Sequence, residues 1–137
     1  MSLTPLIALH LSVALAAVVI GPFAFWARLG RTVRPRWHRA LGYAWFSCMA
    51  ATVLSALFIR SHDLPNIAGY TPLHLLVPAT AFLLYRGLSA VMRGDIALHR
   101  RTMQRVYIGA CLVAGAFTLL PSRYLGQLIW GQWLGWL

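Results

Sequence analysis

Four apolar runs of about twenty residues, separated by short polar connections, constrain this chain more than any other feature. At 1.5 Å per residue a helix needs ~20 residues to cross a hydrocarbon core of ~30 Å, and four such runs consume most of a sequence of 137 residues. Too little remains for a soluble catalytic domain. Composition points the same way, since 60% of the residues are apolar and 10% are charged, against about a quarter charged in ordinary soluble domains. The expected fold class is an all-α integral membrane protein, one membrane domain over residues 1–137, arranged as a four-transmembrane-helix bundle.

The first run, 6–27, follows Thr4-Pro5 and holds one ionisable group, His10. Residues 1–9 carry no Lys or Arg, so it reads as a membrane helix and not as a cleaved signal. Gly21-Pro22 is expected to loosen its later part, tolerable where a neighbour satisfies the freed carbonyl. A basic connection over 28–39 leads to the second run, 40–59, which ends at Arg60. The connection 61–70 is punctuated by Pro65, Asn66 and Gly69. The third run, 73–92, contains His74, Pro78 and Arg86, and a second basic connection carries Arg93, Asp95, His99, Arg100, Arg101 and Arg105. The fourth, 106–122, closes at Pro121-Ser122-Arg123. In the tail, 124–137, Trp130, Trp133, Leu134 and Leu137 recur at helical spacing, the pattern of an interfacial anchor.

The net charge of +10 would suit nucleic acid, but all 12 basic residues are Arg and they gather at the ends of the apolar runs, which is the pattern of membrane topology. Nucleic-acid binding is not expected. Ten Arg lie around 28–39 and 86–105 against two, Arg60 and Arg123, at the opposite ends. The positive-inside rule then places both termini outside and both Arg-rich turns inside a bacterial inner membrane. Thr4-Pro5-Leu6 and Thr71-Pro72-Leu73 open the first and third runs, and His38-Arg39 and His99-Arg100 open the second and fourth. These correspondences read either as two parallel helical hairpins from a repeat or as boundary residues shared by physics alone.

Ionisable groups at membrane depth are functional candidates, and five His against two acids is an unusual balance. Facing imidazoles on different helices would suit b-type haem. His10 and His74 form the leading ligand pair and His38 and His99 the second, with interfacial anchoring or lipid phosphate as the competing role of the second pair. For His74 the competing role is a hydrogen bond to the 61–70 connection, and for His10 a buried hydrogen bond. A metal site at the outer face, drawing on His62 and Asp63 with His10 and His74, is a further reading without a recognised ligand spacing. Arg86, Arg39 and Arg100 are candidate contacts for a lipid head or a quinone carbonyl, Arg86 alternatively snorkelling to the interface. Cys48 and Cys111 fall in apolar runs and form no Cys-x-x-Cys pair. Asp63 and Asp95 should lie on opposite sides of the membrane, which excludes hydrolysis by paired acids.

The segments Gly21-Pro22-Phe23, Trp37-His38-Arg39-Ala40-Leu41-Gly42-Tyr43, 64–74, His99-Arg100-Arg101-Thr102-Met103 and 115–121 together resemble a bacterial family of small membrane proteins of unknown function. The resemblance covers nearly the whole chain and implies a four-helix inner-membrane protein with no activity to carry over. The likeness to transmembrane dihaem cytochromes b is one of paired His on four helices, an analogy. Two functions follow as expectations. One is haem-binding, redox-linked electron transfer. The other is a non-catalytic accessory or assembly subunit of a larger membrane complex, or of a homo-oligomer, within the lipid bilayer.

Overall fold

Thr4 starts the first helix. Its hydroxyl accepts the Ile7 N–H at 3.3 Å, and Pro5 takes the first helical position, where a missing N–H is no loss. Helix α1 then runs over Pro5–Trp26. The computed structural model describes residues 3–28, 34–60 and 67–136. Pro22 lies inside α1 and cannot donate to the carbonyl four residues back. That carbonyl, Val18 O, instead accepts the Tyr107 hydroxyl at 3.0 Å.

Helix α2 spans Pro35–Phe58, beginning five residues before the expected start at 40. The basic segment 35–39 is thus a helical turn and not connection: Pro35 pre-sets the first turn, Arg is a good helix former, and the long Arg stems carry their charge outward from a helix end. A tight turn follows where Ile67 and Tyr70 exchange backbone hydrogen bonds at 3.0 Å each, with Ala68 and Gly69 both at positive φ. A 3₁₀ turn, Pro72–Leu75, leads into α3, Leu76–Met92.

The second basic connection is likewise shorter than expected. Gly94 takes a φ of +79°, and Asp95 Oδ1 accepts the Leu98 N–H at 3.0 Å, so α4 starts at Ile96 and runs to Val106. It continues through a π-helical stretch, Tyr107–Val113, into α5, Ala114–Phe117. Three helical segments, Pro5–Trp26, Pro35–Phe58 and Pro72–Met92, are long and apolar enough to cross a membrane. The fourth expected span, 106–122, coincides in part with the later portion of a helical run, 96–117, whose first half is basic and whose middle is π-helical. No strand occurs among the described residues.

Helix α1 packs chiefly on α2, and α3 on α4, making two hairpins. They meet through α2 against α3 and through α1 against the π-helical stretch. Ala17, Trp45, Met49, Leu84, Met103, Val106 and Cys111 form the buried core. Close approach depends on two buried glycines: a Cβ on Gly21 would meet the Tyr107 ring, and one on Gly87 would meet Met103 Cε. Outward-facing Val19, Phe58 and Phe82 are 61%, 71% and 60% exposed, apolar surface that suits lipid. The tail forms α6, Tyr124–Gly126, and a π-helical stretch, Gln127–Trp133. Trp130 Nε1–H donates to Leu119 O at 2.7 Å, while Trp133 and Trp136 stay exposed.

Candidate functional site

The four described histidines fall into two layers, and their hydrogen bonds fix the tautomer of each neutral ring. In the Arg-rich layer, His38 Nδ1 lies 2.8 Å from Ala24 O and His99 Nδ1 lies 2.9 Å from Gly87 O. A carbonyl only accepts, so both Nδ1 atoms carry the proton and both Nε2 atoms hold a lone pair. Each histidine sits in the first turn of the second helix of its hairpin and ties it to the end of the first. The two rings meet edge to face across the hairpins, with centroids 6.5 Å apart and planes at 88°.

In the opposite layer, His10 and His74 line one cavity of about 280 Å³ between the hairpins. His10 Nδ1 lies 2.8 Å from Ser55 Oγ. The single Ser55 proton is directed to backbone oxygen, Ala51 O at 2.7 Å and Thr52 O at 3.1 Å, so the hydroxyl accepts from His10 Nδ1–H and the lone pair resides on Nε2. His74 is arranged the other way round. Its Nδ1 accepts the Thr71 N–H at 3.0 Å, and its Nε2–H donates to Ile59 O at 2.8 Å. Both its nitrogens are engaged, closing the end of α2 onto the start of α3, where an orphan helix carbonyl needs a donor. Tyr70 packs edge-on against the ring, centroids 5.1 Å apart.

The structure therefore brings His38 to His99 and sets His10 and His74 on the walls of one cavity. His62 and Asp63 lie outside the described residues. No group of three or more His, Cys, Asp or Glu is placed to hold a metal ion among the described residues. Arg39 and Arg100 are exposed, each beside a histidine of the facing pair, and Arg86 is exposed on α3. Cys48 and Cys111 are free thiols. Cys111 Sγ lies 3.6 Å from Met49 Sδ, inside the core.

Sequence reasoning passed over Ser55 and Tyr107 and took Thr71 for a helix opener alone; these three residues fix the His10 and His74 rings and repair the Pro22 gap. Their partners lie 45, 89 and 3 positions away. Only Thr71 had a local cue, as a helix-capping residue three before His74. The π-helical stretch was equally unforeseen. Such stretches are rare and frequently sit at functional sites, and here it carries Ala110 and Cys111 to the cavity wall.

Residues 7–136 match the profile of a family described as predicted membrane protein (DUF2306). No curated protein and no solved structure matches the chain significantly.

Proposed function

The chain belongs to the DUF2306 family of predicted membrane proteins, and from that premise we propose a haem-binding, redox-linked membrane protein in which His38 and His99 would hold the haem. The observation that carries this reading is the 6.5 Å between the two ring centroids. A metal held ~2 Å from each imidazole nitrogen would lie ~3.2 Å from each ring centre, so this separation would admit one ion once both Nε2 atoms turn toward it. Both rings also donate Nδ1–H to a backbone carbonyl, the support that orients a metal-ligating imidazole and raises its basicity. Bound haem would supply one-electron chemistry at its iron.

Room beside the pair is uneven. One turn beyond His38, a Cβ on Gly42 would meet nothing within 4 Å. One turn beyond His99, Met103 packs on Gly87, and this flexible side chain is the one that must give way to a macrocycle. Arg39 and Arg100 stand next to the ligands as cations for haem propionates. The same reading takes the helical run over 96–117 as the fourth span of the bundle and the two hairpins as a parallel repeat. By the ten-to-two Arg distribution, it puts the His38–His99 layer at the inner face of a bacterial cytoplasmic membrane, with both termini outside.

The test is a reduced-minus-oxidised visible spectrum of the detergent-purified full chain expressed with ample haem. Bands that vanish in His38→Phe and His99→Phe and persist in His74→Phe support the assignment. A folded but colourless wild-type protein overturns it and leaves the accessory-subunit role.

A further inference from the structure

The cavity between the hairpins belongs to a different layer from the His38–His99 pair and has its own chemistry. Its volume, about 280 Å³, sits at the lower end of small-molecule sites, with room for one substituted ring. Its walls are mostly apolar and include Ala114 and Gly115. Two polarizable sulfur residues, Met49 and Cys111, also line it, and sulfur makes favourable contacts with aromatic rings. Among the polar residues of the wall, Arg123 has interactions of its own within the chain, and His74 is spent on Thr71 and Ile59. The His10 ring bonds α2 through Ser55 Oγ, 2.8 Å from Nδ1, and through the Thr52 carbonyl beside it; with Nδ1–H as the donor, the neutral ring retains the Nε2 lone pair, an acceptor. A ligand matched to this site brings a hydroxyl donor on a compact aromatic body.

We propose that the inter-hairpin cavity is a binding site for an apolar phenol or hydroquinone, whose hydroxyl donates to His10 Nε2. Discrimination follows from the tautomer. An ether or a quinone of the same shape offers only acceptors and leaves the lone pair of His10 unpaired, whereas the hydroquinone pairs with it. The site stands independently of haem at His38 and His99, because neither the ligand nor its contacts involve that layer.

The test is equilibrium dialysis of trimethylhydroquinone, its dimethyl ether and trimethylbenzoquinone against the detergent-purified full chain. Saturable binding of the hydroquinone about five- to tenfold tighter than of the ether is expected, the effect of one net hydrogen bond. His10→Phe should remove that preference. Gly115→Leu should abolish binding of all three probes with the melting transition retained, since Gly115 lines the cavity and a Cβ there meets nothing within 4 Å. Equal affinity of the wild-type chain for hydroquinone and ether overturns the proposal. So does unchanged hydroquinone binding in a folded Gly115→Leu chain.

Discussion

The Tyr107 hydroxyl donates to Val18 O at 3.0 Å, filling the gap that Pro22 leaves in the hydrogen-bond ladder of α1. The bond joins the first hairpin to the π-helical stretch of the second, so a local defect in one helix becomes a tertiary contact. Tyr107→Phe leaves the carbonyl without its donor and is expected to cost about 1–3 kcal/mol. Pro22→Ala in that background restores the N–H and should recover part of the loss. Thermal melts of the two chains in one detergent check this, and no recovery in the double variant would show that the carbonyl was not the cause.

His74 joins the end of α2 to the start of α3 through both ring nitrogens. His74→Ala strands the Ile59 carbonyl and the Thr71 N–H together, and a loss of about 1–3 kcal/mol is expected. Denaturant titration in mixed micelles measures it. A change below about 0.5 kcal/mol, the size of an ordinary surface substitution, would show that the contact carries no weight.

Gly87 is buried beneath Met103, and an added Cβ there meets the Met103 terminal methyl. Gly87→Ala should destabilise by about 1–3 kcal/mol as an overpacked contact. Met103→Ala alone leaves a cavity and is expected to cost about 2–5 kcal/mol. Combined, the two should cost less than the sum of the singles, because each relieves the defect of the other. Strict additivity in a double-mutant cycle would sink this account.

The His38–His99 assignment makes a spectroscopic prediction in which the two layers differ. His38→Phe and His99→Phe should each abolish the redox difference bands, and His10→Phe should leave them in place. Loss of the bands in His10→Phe, with the chain still folded, would move the ligand to the other layer.

Membrane orientation has its own check. Single cysteines at Arg36 and Arg101, in a chain whose Cys48 and Cys111 are replaced by Ala, should react in intact cells only with a membrane-permeant maleimide. A cysteine at Arg123 should react with an impermeant one. The reverse labelling pattern would invert the topology.

Class and layering were legible in the linear sequence because hydrocarbon imposes a length and a polarity on any segment that crosses it, and both can be read without knowing a neighbour. Thr4-Pro5 and Thr71-Pro72 mark helix starts through local chemistry alone, and so does Asp95 once its bond to Leu98 is seen. Where charge density was read as connection, at 35–39 and 96–105, the helices continue, since Arg favours helix and needs only an end that faces the headgroups. Tertiary structure alone decided which histidine meets which. A tautomer is set by the group that faces the ring, and those groups come from other helices: Ala24 for His38, Gly87 for His99, Ser55 for His10. The sequence thus determined that five histidines lie in a membrane protein. Among the four described, packing decided that a neutral His38, His99 or His10 has its lone pair on Nε2 and that a neutral His74 has it on Nδ1.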